Sequence, residues 1–345
     1  MKMKLSKKSG PAPRKITTTT TPPKILKIVA TTDFSDESRC GVRYAMALAE
    51  KLGAAVALLH VIEPRTWLSE LGSVVPARED SEVVALVRAQ LATLAKREGK
   101  GDVAVSFSVR TGKPFHEITT AARQQMADLI VIATNGYTGS EQVLLGSTAE
   151  RVVRHAPCSV LTVSTRTRPK RTGKTPLFKL KKILVPIDFS NSSKDALPRA
   201  TLLAAHFGAE VVLLHVVEKF PIDYLLGREL MNQTLVPLMK QAETDLEQMA
   251  GSLRKSTGLN VSAVVSDGKP FEVICQTAKP LGADLIVLTT HGYTGLKHVW
   301  LGSTAERVVR HSPCPVLVVR AREHGFTEAR STRRRKSVAQ PIPLS

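Results

Sequence analysis

The chain has 345 residues, a net charge of +19 and four cysteines, and 43% of its residues are hydrophobic. That length suits about two domains with their own cores, and no apolar window of about 18 residues exists for a helical membrane span. The cysteines stand singly, without a CxxC pair, which argues against a redox or zinc centre.

In chain order, residues 1–23 are basic and lack an apolar run, so they read as a disordered tail and not as a signal peptide, and the protein as cytoplasmic. From Lys24, "KILKIVATT" reads as a strand and "SDESRCGVRYAMALAEKLG" as a helix opened by a serine cap and closed by Gly53. "AAVALLHVIE" is a second strand, "EVVALVRAQLATLAKREG" a helix, "VAVSFSVRTG" a third strand and "KPFHEITTAARQQM" a helix. "ADLIVIAT", "STAERVVRHA" and "SVLTVS" complete the series as strand, helix and strand at Ser164. Residues 165–180 form a basic linker, residues 181–320 repeat the same order, and residues 321–345 form a second basic tail with "RRRK" at Arg333 to Lys336. Pro198 falls inside the first helix of the second half, which predicts a late start or a kink there. Apolar strands alternating with helices predict two tandem doubly wound α/β domains, each with a five-stranded, mostly parallel sheet covered on both faces.

The excess charge lies outside these domains. Residues 1–24, 166–182 and 320–345 carry net charges of +7, +8 and +5, which leaves the two domains close to neutral. Nucleic acid is therefore expected only as a nonspecific, salt-sensitive partner of the basic segments.

The two halves are copies. "TTDFS" ending at Ser35 answers "PIDFS" ending at Ser190, and "NGYTGSEQVLLGSTAERVVRHAPC" from Asn135 answers "HGYTGLKHVWLGSTAERVVRHSPC" from His291. The glycine stretch follows a strand and leads into a helix, at the sheet edge where open α/β folds bind ligands. Gly136, Gly139 and Gly146, with Gly292, Gly295 and Gly302, can adopt positive φ and bring backbone amides close to a phosphate. Ser147, Thr148, Ser303 and Thr304 add hydroxyls at the positive end of the next helix. The competing reading is that the glycines only make turns and the hydroxyls only cap helices. It is weakened because all three glycines and the GST triplet persist in both copies while Ser140 and Gln142 become Leu296 and His298.

Asp33 and Asp188 follow a strand and precede a helix, a place for a ligand contact, a helix cap or an Asx turn. His60 and His215, inside apolar strands, read as satisfied core histidines more than as catalytic bases. His291 is matched by Asn135, so its ring is not chemistry required in both copies. Tyr137 and Tyr293 either cover a ligand or pack the loop. His155 with Cys158 and His311 with Cys314 stand at HxxC spacing but lack further ligands, so the thiols read as buried.

"ILVPIDFS", "LLHVVE", "ADLIVLTTHGYTG" and "LGSTAERVVRHSPCPVLVV" resemble the landmarks of the universal stress protein family over nearly all of both repeats. The resemblance implies an α/β fold that binds ATP or a related adenine nucleotide at the carboxyl edge of the sheet, with or without Mg2+. It places Asp33 and Asp188 near adenine and ribose, Val61 and Val216 against the adenine, and the glycine loop and GST triplet on the phosphates. Pairing through the last strand is implied too, between the two repeats or in a homodimer. The family signature carries a glycine where Ala133 and Thr289 stand, and Thr31 faces Pro186 across the copies, which predicts unequal affinity at the two sites.

The chain contains no GxxxxGK[ST] loop and no Ser-His-Asp order repeated in both halves. The expected function is a nucleotide-responsive stress or signalling switch, with at most slow ATP hydrolysis or autophosphorylation at Ser147 or Ser303. The alternatives are a pairing scaffold of the same fold that binds no nucleotide, and an enzyme on an adenylated substrate that depends on Asp188 or His215.

Overall fold

The computed structural model describes residues 25–63, 81–99, 102–134, 146–164, 180–218, 227–289 and 302–320. The first repeat runs β1 (Lys27–Thr31), α1 (Asp36–Leu52), β2 (Ala55–Ile62), α2 (Ser81–Glu98), β3 (Val105–Thr111), α3 (Pro114–Gln124), β4 (Leu129–Thr134), α4 (Ser147–His155) and β5 (Ser159–Ser164). The second runs β6 (Lys182–Pro186), α5 (Asn191–Lys194), α6 (Leu197–Phe207), β7 (Glu210–Glu218), α7 (Gly227–Thr257), β8 (Val261–Gly268), α8 (Pro270–Leu281), β9 (Leu285–Thr289), α9 (Ser303–His311) and β10 (Val316–Val319).

Local chemistry sets the helix ends. The Ser35 hydroxyl caps α1 by accepting from the Ser38 amide at 3.1 Å, and Gly53 closes it at φ 63°, a left-handed angle that suits glycine. In the second repeat the helix is broken as Pro198 predicts: α5 stops at Lys194 and α6 begins at Leu197, with Pro198 in its first turn, where a missing N–H costs nothing. Gly208 closes α6 at φ 65°.

The inner strands are buried on both sides, and the edge strands β3 and β8 are mostly half-buried. Ile28, Val29 and Ala30 are each 0% exposed in succession, because alternate residues of β1 face different helical layers. Ile28 and Ala30 pack with Val42, Met46 and Leu91 of α1 and α2, whereas Val29 packs with Ile118, Ala121 and Val152 of α3 and α4.

The described strands form one ten-stranded sheet in the order β3-β2-β1-β4-β5-β10-β9-β6-β7-β8. Pairing is parallel within each repeat, and the repeats join antiparallel through β5 and β10, with Val160, Leu161 and Thr162 opposite Val318, Leu317 and Val316. The Thr162 hydroxyl donates to the Val316 carbonyl across this seam at 3.2 Å. Among the described residues no helix is long and apolar enough to cross a membrane.

Candidate functional site

In each repeat the chain moves outward in one direction from its first strand and in the other from its fourth. β1 and β4 are parallel neighbours, with Ile28 opposite Leu129 and Ala30 opposite Val131, while β2 and β5 lie on their far sides. That reversal opens a crevice beyond their carboxyl ends, the place where doubly wound sheets bind ligands. β6 and β9 repeat the arrangement, with Ile183 opposite Leu285. Asp33 and Asp188 follow β1 and β6, at the carboxyl ends that border the crevice in each repeat.

Asp33 forms an Asx turn: its Oδ1 accepts from the Ser35 amide at 3.0 Å and the Ser35 hydroxyl at 2.5 Å. Asp188 does the same with Ser190, at 3.0 and 2.5 Å. The helix cap is thus the serine, and the aspartate orients it. Burial raises the Asp33 pKa, but hydrogen bonds from Ser35 and Ser38 outweigh it and hold the carboxyl below the usual carboxylate range. Such an anion accepts from hydroxyl and amino groups and repels phosphate, which suits a ribose or base contact.

Beside each aspartate the backbone takes a conformation that the sequence does not announce. Phe34 and Phe189 have φ of 66° and 61°, left-handed angles that are unusual for a bulky side chain. Their rings lie 4.7 and 4.4 Å, centroid to centroid, from those of His60 and His215. His60 Nδ1 is 2.8 Å from the Thr32 carbonyl and His215 Nδ1 is 2.7 Å from that of Ile187. A carbonyl only accepts, so Nδ1 carries the hydrogen in both rings. This is a histidine bound into its own fold.

Val61 and Val216 are half-buried near the ends of β2 and β7, on the face carrying α3 and α4 in the first repeat and α8 and α9 in the second. Thr31 is buried, and its hydroxyl donates to the Val131 carbonyl at 3.4 Å, linking β1 to β4, whereas Pro186, half-buried at the end of β6, has no such donor. Gly136, Gly139, Gly292 and Gly295 lie outside the described residues, as do Asn135, Tyr137, His291 and Tyr293.

Gly146 and Gly302 correct an expectation. Their φ values are −56° and −59°, an ordinary backbone that any residue adopts, so no turn demands glycine there. Each is the N-cap of its helix, and Ser147 with Thr148, like Ser303 with Thr304, fills the first helical positions. The serines are therefore not the caps, and no side-chain hydrogen bond caps either helix. First-turn amides lack acceptors within a helix, so both helix starts present amide donors and a positive dipole end at the carboxyl edge.

Ala133 occupies the position of the expected family glycine. A β-carbon placed on Gly41 of α1 would lie 3.7 Å from the Ala133 methyl, so that methyl faces α1, on the opposite side of the sheet from α3 and α4. Thr289, the matching residue, is 8% exposed.

Of the two HxxC thiols, Cys314 is buried and Cys158 half-buried. Burial pushes Cys158 and Cys314 up to about 12, and Cys275 up to about 11, far from a reactive thiolate at neutral pH. His155 and His311 pack beside Phe115 and Phe271, at 6.3 and 6.1 Å between centroids. Among the described residues no group of three or more His, Cys, Asp or Glu is placed to hold a metal ion.

The model of the universal stress protein family matches the chain twice, over residues 24–164 and 179–320. A universal stress protein of Methanocaldococcus jannaschii is 36% identical over 143 residues, covering 41% of this chain and 82% of that one. A universal stress protein of Mycolicibacterium smegmatis is 26% identical over 307 residues, 86% of this chain and 97% of the relative. The crystal structure of a universal stress protein from Archaeoglobus fulgidus shares the fold with a TM-score of 0.62 at 23% identity, covering 87% of this chain and 98% of the other.

Proposed function

The chain belongs to the universal stress protein family, and on that premise we propose that it binds an adenine nucleotide, ATP, in each of its two crevices and acts as a nucleotide-dependent switch. The observation that carries this reading is the duplicated helix start without a side-chain cap, preceded by a glycine and set at the point where the strand order reverses. The amides of α4 and α9, with Ser147, Thr148, Ser303 and Thr304, take the phosphates together with the glycine loops; Mg2+ would accompany the triphosphate. Asp33 and Asp188 take ribose or base hydrogens, and Val61 and Val216 supply apolar contact to the adenine. The Ala133 methyl faces α1, so the departure from the family glycine leaves the α3 and α4 face of the crevice unchanged. Asp33 is committed to Ser35 and His60 to Thr32, so neither is set up as a base for hydrolysis, and turnover is at most a slow side activity. A switch requires ATP to favour one of two states of the protein.

A second reading rests on the β5 and β10 seam: a pairing scaffold whose glycines only turn the chain. Heat release of nucleotide from the purified protein, identified by chromatography, and ATP titration of the wild type, Gly146→Val and Gly302→Val separate the two. Valine fits the observed backbone angles at both positions, and a loss of binding in a variant that unfolds like the wild type reports close approach of a ligand. Recovered adenine nucleotide, with one site lost in each variant, supports two phosphate cradles. No nucleotide and no binding at millimolar ATP leaves the scaffold.

A further inference from the structure

Glu150 and Arg154 of α4 and Glu306 and Arg310 of α9 form a closed ring of four charges across the seam between the repeats. Within each helix the guanidinium Nη2 lies close to its own glutamate Oε1, 2.9 Å for Arg154 and Glu150 and 3.0 Å for Arg310 and Glu306. Between the helices, Arg154 Nη2 lies 3.7 Å from Glu306 Oε2 and Arg310 Nη2 lies 3.8 Å from Glu150 Oε2. Each arginine is thus shared by two carboxylates, one from each repeat. The four side chains are between 22% and 32% exposed, so water screens them less than a surface pair.

The ring is wired to the helix starts. The Glu150 amide donates to the Gly146 carbonyl and the Glu306 amide to the Gly302 carbonyl, each at 3.0 Å, so each glutamate makes the first hydrogen bond of the helix that would receive phosphate. Its carboxylate sits in the first turn and competes with any anion docking at the same positive end. The two shared arginines offset that competition.

We infer that this ring couples the two sites negatively: a nucleotide in one repeat weakens binding in the other. The inference rests on the nucleotide reading above. A phosphate at α4 makes the potential around Glu150 more negative and draws Arg310 towards it, away from Glu306. Glu306 is then less neutralised, and the start of α9 is less favourable to a second anion. The pseudo-symmetry of the ring makes the effect reciprocal, as binding linkage requires.

Calorimetric titration of the full chain with ATP tests it. Gly146→Val and Gly302→Val supply the single-site association constants, and the product of the two wild-type stepwise constants divided by the product of these is the coupling factor. The expected wild-type factor is about 0.2, a second nucleotide held about fivefold more weakly, in the usual range of site coupling. In Glu150→Gln/Glu306→Gln, where neutral amides no longer compete for the arginines, it returns to one. A wild-type factor of one, or the same factor in the double variant, overturns the inference and leaves nucleotide binding intact. Hydrogen exchange without ATP gives an independent readout: Glu306→Gln in the second repeat leaves both arginines to Glu150 and should slow exchange in the first turns of α4 in the first. If ATP does not bind at all, slower exchange there upholds the physical coupling and removes only the nucleotide reading; unchanged or faster exchange overturns the coupling itself.

Discussion

Phe34 and Phe189 carry the same strained residue into both copies of the crevice. A left-handed backbone costs an L-residue roughly 1–2 kcal/mol, and here it is offset by a ring packed on histidine and against the core cluster of α1 and α2. The strain aims the neighbouring aspartate: Asp33 and Ser35 close their turn around the phenylalanine. Phe34→Ala loses the ring and keeps the strain, whereas Phe34→Gly loses the ring and releases it. In denaturant unfolding the glycine variant should therefore be the more stable of the two by about 1 kcal/mol, the reverse of the order at ordinary positions. Alanine above glycine would show that the residue is not left-handed in solution. Residue chemistry made Asp33 and Ser35 legible, since each has a hydrogen-bonding reason to stand where it does. It did not reveal Phe34, because no propensity places phenylalanine at positive φ, and it misjudged Gly146 and Gly302, whose backbone is ordinary.

At the scale of elements the copies differ where α1 meets α2 and where α6 and α7 take the same places. In the first repeat Arg43 of α1 reaches Glu98 of α2, with Nη2 2.7 Å and Nε 2.8 Å from Oε2, and the glutamate side chain is only 4% exposed. Core positions Leu91 and Ala95 correspond to Leu246 and Ala250 of α7 at a shift of 155, which aligns Glu98 with Leu253 and Arg43 with Pro198. The second repeat thus has a leucine packed on the core and a helix break where the first has an ion pair with a buried glutamate. Among the described residues, Arg43→Met leaves a buried carboxylate with Arg97, at 3.6 Å, as its near cation, and should cost about 3 kcal/mol in thermal or denaturant unfolding. Arg43→Met/Glu98→Leu should recover most of that loss; a double variant as unstable as the single one would refute the account. The break at Pro198 was legible because proline has one physical consequence in a helix. The burial of Glu98 was not, since a glutamate in the last turn of an amphipathic helix reads as solvated until its tertiary partner is known.

The whole molecule is one sheet made from two. Val160, Leu161, Leu317 and Val318 are at most 4% exposed along the seam, and the charged ring lies over it on α4 and α9. A seam this dry should make the repeats unfold together. Calorimetry of the wild type is expected to show a single transition. Leu161→Asp/Leu317→Asp, which places two carboxylates without partners in the ladder at several kcal/mol each, should split it into two. Two transitions already in the wild type would show that each repeat folds independently of the seam.

Repeat length, strand and helix order, the helix end at Gly53 and the helix break at Pro198 all followed from local rules: hydrophobic period, caps, and the special backbones of glycine and proline. They act over a few residues, and duplication displayed each of them twice. The partner of the last strand, the left-handed phenylalanine, the burial of Glu98 and the ring that joins the two helix starts were decided only by folding. Each depends on groups up to about 160 residues apart in the chain, or on strain that the surrounding packing outweighs, and neither leaves a local pattern to read.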